Sequence, residues 1–319
     1  MCGQWGIHGY QKNNHDETAF NNWQAVLKQL AHKNCYITLW GGEPLLAPGV
    51  FDLARKIKDS GHKLAVVTNG TLLEKHADDW VTADNLFISI DGPAEIHDTI
   101  RGIPGCFDRI DRGIRKIRKN FPLQKISILT TLLEENYNKL AELGKYLSGI
   151  PADCWILGPQ IFLSCTRLEK YRSFLDKMNF PDCSSGSWLA EFPPELGKKI
   201  EQYSAELITL FPELDIKIGG HGFTPGMIEK WYDKPDSAPV QKCYAPWRRL
   251  SIRSDGSTSF CLDITDGSLG GISEHTPAEI FSGQIAENFR NEIRYGGNPA
   301  CSRCIWNLHP EDYRYSGKP

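Results

Sequence analysis

Between residues 17 and 162, short apolar runs alternate with stretches of helical spacing, and no other feature restricts the fold so strongly. Phe20, Trp23, Leu27 and Leu30 recur at helical intervals and predict an amphipathic helix over 17–33. YITLW (36–40) then reads as a strand closed by Gly-Gly, and a helix over 49–60 stops at the terminal glycine Gly61. KLAVVTNG (63–70), NLFISIDG (85–92), KISILTTLL (125–133) and CWILGPQIF (154–162) are further strands, separated by helices over 72–82, 107–120 and 136–148. Nearly continuous apolar strands joined by helices require a parallel sheet covered on both faces. Right-handed crossovers then leave a doubly wound sheet or a full or partial (β/α) barrel. In either, the turns GGEP, TNG and IDG fall on the carboxyl edge, where such folds bind ligands. Residues 1–16 read as a loop entering a helix, so the strand expected to open the alternation is missing.

Beyond residue 163 the pattern changes, in keeping with a chain of 319 residues, about twice a typical domain. Residues 163–192 read as a polar, Ser-rich insertion without clear period, followed by a helix over 193–211 and the glycine-rich loop GGHGFTPG (219–226). RRLSIRSDGSTSFCLDI predicts a hairpin turning at Asp255-Gly256. Thr276-Pro277-Ala278-Glu279 predicts a capping box that starts a helix running to about Tyr295. The expected domains are therefore 1–162, a linker and helix over 163–241, and a small α+β domain over 242–319.

Charge narrows the functions. Thirty-six Lys and Arg against 39 Asp and Glu leave a net charge of −3, which argues against a nucleic-acid partner. No apolar stretch reaches the roughly 18 residues of a membrane span, and the opening MCGQWGIHGYQKNN holds no apolar targeting segment. A cytoplasmic, reducing location is expected, where clustered cysteines bind metal or do chemistry more often than they form disulfides.

There are ten cysteines. Cys301 and Cys304 form a Cys-x-x-Cys after a helix, and two thiolates at that spacing can hold one metal centre if a second pair closes it. Cys243 and Cys261 are the available pair, since the hairpin between them folds their sulfurs back toward one point. Four thiolates suit tetrahedral zinc or an iron–sulfur cluster, and spacing does not separate the two. Cys35, Cys106 and Cys154 read as packed thiols; Cys165 and Cys183 have no assignment.

ITLWGGEPLL (37–46), VVTNGTLL (66–73) and FISIDGPAEIHDTIRG (87–102), in that order, resemble the core of radical S-adenosylmethionine (SAM) enzymes. Cys243, Cys261 and Cys301-x-x-Cys304 resemble the twitch or SPASM type of appendage. The resemblance implies a partial (β/α)6 barrel whose CxxxCxxC loop holds a [4Fe-4S] cluster that binds SAM, with an auxiliary [4Fe-4S] cluster on Cys243, Cys261, Cys301 and Cys304. It implies SAM contacts from Gly41, Gly42, Glu43, Thr68, Asn69, Ser89, Asp91 and Arg101, whose guanidinium fork suits the SAM carboxylate. His97 and Asp98 carry no assigned chemistry, and no residue is named as proton donor or acceptor. The implied activity is reductive cleavage of SAM to a 5′-deoxyadenosyl radical that takes a hydrogen atom from a peptide, protein or small-molecule substrate. A donor such as flavodoxin or ferredoxin supplies the electron.

Cys2 matches only the third cysteine of CxxxCxxC, so the reading is of an N-terminally truncated chain whose first strand and two cluster ligands lie upstream. The alternatives are a non-catalytic zinc-binding α/β protein and an inactive truncated fragment.

Overall fold

The computed structural model describes residues 23–150, 152–182, 184–219, 223–237, 243–264, 266–295 and 297–306. Their contacts form two compact units: residues 30–159 with 198–219, and the described parts of 160–197 and 220–319 with 23–29. The first helix, α1, is Trp23–Leu30, with Val26 and Leu27 buried.

The first unit is built on one sheet of six parallel strands: β1 (Tyr36–Leu39), β2 (Lys63–Thr68), β3 (Asn85–Ser89), β4 (Ile126–Leu132), β5 (Cys154–Pro159) and β6 (Ile216–Ile218). Strand order follows chain order from β1 to β6. A doubly wound sheet reverses its order partway; a single progressive order is that of a barrel wall. Among the described residues β1 pairs only with β2 and β6 only with β5, so the wall is open and the architecture is a partial (β/α)6 barrel. The strands are apolar because both faces are covered: Leu64, Ala65, Leu86, Ile88, Ile126 and Ile128 are wholly buried.

The intervening helices are α2 (Val50–Asp59), α3 (Leu73–His76), α4 (Ala94–Arg101), α5 (Cys106–Asn120) and α6 (Leu140–Leu147). Three differ from expectation. The helix predicted over 72–82 is only the single turn α3. Residues 136–148 begin as a 3₁₀ turn before α6. The third is α4, which the sequence pattern did not reveal. It is short, buries only His97 and ends at Gly102, whose left-handed φ of 67° satisfies the terminal carbonyls. Helix α5 carries Ile110, Ile114 and Ile117 on its buried side at helical spacing.

The stretch 163–192 is not an irregular insertion. Helix α7 (Cys165–Met178) starts at Ser164, whose hydroxyl accepts from the Arg167 amide, and buries Leu168, Tyr171 and Leu175. That apolar period is present in the sequence but is masked by the charged residues between. Helix α8 (Leu196–Leu210) then leads to the three-residue β6, too short to stand out as a strand.

In the second unit α9 (Met227–Asp233) precedes a two-stranded antiparallel hairpin, β7 (Ser251–Ile252) and β8 (Thr258–Ser259). The capping box at Thr276 forms as expected, but its helix α10 (Pro277–Ser282) ends at Gly283 and α11 (Gln284–Tyr295) follows. Gly283 is extended at φ −71°, ψ 166°, which breaks the predicted single helix in two. The unit's core packs Tyr171, Phe174, Trp188, Phe260 and Phe289. Across it the Arg290 guanidinium lies 5.0 Å and 4.5 Å from the rings of Phe260 and Phe281. No helix among the described residues is long and apolar enough to cross a membrane.

Candidate functional site

Three consecutive parallel strands deliver their carboxyl ends to one edge of the sheet, and each end carries residues singled out above. After β1 come Gly41 and Gly42, both exposed, then Glu43. Gly41 has φ +154°, a conformation that L side chains rarely adopt, and the space around it is open.

Glu43 reaches across to the end of β2. Its Oε1 accepts from the Thr68 hydroxyl (2.7 Å) and the Leu45 amide (3.1 Å), and its Oε2 accepts from the Asn69 amide (2.7 Å). Burial raises the Glu43 pKa, and the hydrogen bonds from Thr68, Asn69 and Leu45 oppose that rise. The turn it braces is tight. Thr68 accepts from the Gly70 amide, and Asn69 accepts from both the amide and hydroxyl of Thr71. A side chain on Gly70, at φ +79°, would meet Ile88 at 2.9 Å, so glycine is required there.

A second cluster follows β3. Asp91 is fully buried and pairs with Arg101 at 2.6 Å, while its other oxygen accepts from the Thr131 amide. Asn136 donates to the Asp91 carbonyl at 2.6 Å and to the Thr131 carbonyl at 2.7 Å, tying the β3 and β4 ends together. His97 is also fully buried; its Nδ1 accepts from the Asp91 amide, and its Nε2 lies 3.5 Å from the Cys106 sulfur. Burial pushes the His97 pKa down to about 4, with Arg101 adding to the fall and Asp91 and Asp98 opposing it. Asp98 accepts from the amides of Gly105 and Phe107, joining α4 to α5. The structure thus gathers Glu43, Thr68 and Asn69 into one network, and Asp91 and Arg101 into another. Ser89 belongs to neither, its hydroxyl having no hydrogen bond to another described residue. His97 and Asn136 hold Asp91 in place, and no local sequence pattern distinguishes them from ordinary helix and turn residues.

The second unit brings the C-terminal cysteines together. Cys243, Cys261, Cys301 and Cys304 are free and partly exposed, and their charges interact. Burial pushes the Cys261 thiol up to about 12 and raises those of Cys301 and Cys304. Thiolates at such positions need a compensating positive centre, which a bound metal group supplies. Two backbone amides already point at the sulfurs: Ala245 donates to Cys243 (3.4 Å) and Trp306 to Cys304 (3.3 Å). Amide–sulfur bonds of this kind stabilise cluster thiolates and tune their potential. The Trp306 indole donates to Asp263 at 2.6 Å, and burial raises that carboxyl to about 6. This donor set fits an iron–sulfur cluster. Among the described residues no three His, Cys, Asp or Glu side chains converge closely enough to hold a metal ion, so the four sulfurs interact electrostatically without forming a closed ligand set.

Cys2 and Cys183 lie outside the described residues. Cys35 is half-buried, Cys106 and Cys154 are buried, and exposed Cys165 donates to Glu191 at 3.7 Å.

The Radical SAM superfamily matches residues 1–147, and SPASM, an iron–sulfur cluster-binding domain, matches residues 243–305. An AdoMet-dependent heme synthase of Methanosarcina barkeri is 39% identical over 128 residues, 39% of this chain and 37% of that protein. The chain spans about a third of the length of the curated relatives it matches. Streptococcus suis SuiB bound to the precursor peptide SuiA has a TM-score of 0.58 at 14% identity, over 90% of this chain and 64% of that one. The structure of anSMEcpe with bound AdoMet has a TM-score of 0.53 at 17% identity, over 84% of this chain and 73% of that one. At these identities the solved structures share the fold.

Proposed function

This chain belongs to the radical SAM superfamily and carries a SPASM iron–sulfur domain, and from that premise we propose that it cleaves SAM reductively to activate a carbon–hydrogen bond. Its cofactors are SAM, the [4Fe-4S] cluster that binds SAM, and an auxiliary [4Fe-4S] cluster. When bound, they supply a 5′-deoxyadenosyl radical that takes a hydrogen atom from the substrate. Enzymes of this superfamily act on peptide or small-molecule substrates. The observation that carries the proposal is the joint placement of two kinds of site residue. The polar groups after β1, β2 and β3 share one sheet edge, and four cysteines cluster in the second unit.

In this reading Cys2 ligates the SAM-binding cluster. The Gly41 and Gly42 carbonyls receive the SAM ammonium group, with Glu43 as the nearby anion. The hydrogen bonds to Glu43 fix its carboxylate for that role and oppose the rise in pKa that burial imposes. Asn69, Ser89 and Asp91 line the same edge. Arg101, oriented by Asp91, offers its partly exposed guanidinium to the SAM carboxylate. Cys243, Cys261, Cys301 and Cys304 hold the auxiliary cluster. If all four thiolates held it, such a cluster would serve electron transfer or support of the site rather than direct substrate binding. The core spans 1–162, the connecting segment 163–241 and the auxiliary domain 242–319. Reduced flavodoxin or ferredoxin delivers the electron.

The test uses anaerobically purified and reconstituted protein, given SAM and dithionite. We expect equimolar 5′-deoxyadenosine and methionine, detected by mass spectrometry. Intact SAM after reduction of clusters verified by electron paramagnetic resonance would overturn the proposal.

A further inference from the structure

Cys304 closes the Cys-x-x-Cys as the cap of a 3₁₀ turn over Pro299–Arg303, with extended backbone at φ −101°, ψ 125°. Beyond it no helix or strand among the described residues fixes the chain. Even so, the Trp306 amide donates to the Cys304 sulfur at 3.3 Å. The corresponding amide at Cys243 is held by local structure, because its donor Ala245 is buried and opens a 3₁₀ turn of its own. Trp306 has no such support, so something other than regular backbone structure must place its amide.

The side chain supplies that support. The Trp306 indole donates to Asp263 Oδ2 at 2.6 Å, a contact spanning 43 residues that ties the chain after Cys304 to the chain after Cys261. Arg249 completes a clamp: its Nη1 donates to the Trp306 carbonyl at 3.5 Å, and its charge acts on Asp263. Trp306 is thereby held at its indole and at its carbonyl while its amide faces the sulfur.

On charge alone, Asp263 is a poor choice for this position. Its carboxylate disfavours the thiolates of both Cys261 and Cys304, an effect that Arg249 offsets at Cys261. What the carboxylate contributes is an ionised acceptor for the indole, and charge-assisted hydrogen bonds are the stronger kind. The amide it places favours the Cys304 thiolate. Amide donors to a ligand sulfur stabilise the more negative, reduced state of a cluster and so raise its potential.

We propose that Trp306 is a positioning residue for the auxiliary cluster: its indole, anchored on Asp263, fixes the backbone amide on the Cys304 sulfur and thereby raises the cluster's potential. The inference rests on the proposed assignment of Cys304 to that cluster, and it names the side chains outside the ligand set that tune it.

The test uses the complete reconstituted protein, poised at fixed potentials and read by electron paramagnetic resonance at the signal that Cys304→Ser abolishes. At the potential where half of the wild-type cluster is reduced, Trp306→Phe should lower the ratio of reduced to oxidised cluster roughly fivefold, the order set by one net hydrogen bond. Asp263→Leu removes the acceptor, and in that background Trp306→Phe should change the ratio little further, because the anchor is already gone. A tryptophan that merely packs shifts the ratio equally in both backgrounds, and that result would overturn the proposal. Asp263→Asn keeps an acceptor for the indole and should hold its full iron content even where Asp263→Leu loses it; equal loss in the two variants refutes the anchor. So does loss of the cluster in Trp306→Phe but not in Asp263→Leu. The wild-type protein separates the two readings. If it lacks the Cys304-dependent signal, the auxiliary-cluster assignment itself falls and the positioning role with it. If it has that signal and Trp306→Phe leaves the ratio unchanged, only the positioning role falls.

Discussion

His97 makes a quantitative prediction about the loop that carries Asp91 and Arg101. Its ring is fully buried, accepts from the Asp91 amide at 3.0 Å, and titrates at about 4 in the folded chain. The unfolded chain's histidine titrates at about 6.5. The folded value is the lower one, so the unfolded chain binds the proton more readily. The stabilisation is complete above pH 6.5 and is lost as pH falls toward 4. From these two values, the folded state should lose about 2 kcal/mol between pH 7 and pH 5, and about 3.4 kcal/mol in all by full protonation. His97→Asn places an amide oxygen where Nδ1 now accepts and does not titrate. Its unfolding free energy, followed by denaturant titration at pH 7, 6 and 5, should lack that 2 kcal/mol of the wild-type slope. Other groups contribute equally to both proteins, so the difference between the two slopes isolates His97. Parallel pH dependence in wild type and variant would refute the argument.

Glu43→Gln leaves one acceptor oxygen and an amino group facing three donors. A loss of about 1–3 kcal/mol and weaker SAM binding are expected, by denaturation and equilibrium binding; unchanged SAM affinity would separate Glu43 from the cofactor. Cys304→Ser should remove the auxiliary cluster and lower iron content by about four atoms per chain, measured by colorimetric iron assay and electron paramagnetic resonance. An unchanged iron count would contradict the assignment. Gly144→Ala places a methyl within 2.3–2.7 Å of the Phe211 ring, and should destabilise by about 1–3 kcal/mol. A neutral result in thermal unfolding would mean that Phe211 yields freely.

Most features legible in the chain were local. The apolar run KLAVVT declared β2, and Thr276 with Glu279 declared the capping box, because strand period and helix capping act within a few residues. The helix boundaries were less legible. Only one turn of the expected 72–82 helix forms, and Gly283 splits the C-terminal helix. In each case packing overrides a weak propensity. Helix α4 was missed because its eight residues bury only His97, leaving no apolar stripe to read.

By itself, then, the sequence determined the alternation that requires a parallel sheet, the order of the strand-end motifs, and the pairing of a hairpin with a Cys-x-x-Cys. Each is a pattern of neighbouring residues, and short-range chemistry suffices to read it. Only the tertiary structure decided between a doubly wound sheet and an open barrel wall, because strand order is a property of long-range pairing. The same holds for individual side chains. Glu43 meets Thr68 across 25 positions, and Arg303 meets the Phe162 carbonyl across 141. Whether a charged residue is solvated or buried depends on what folds over it, and no spacing along the chain records that.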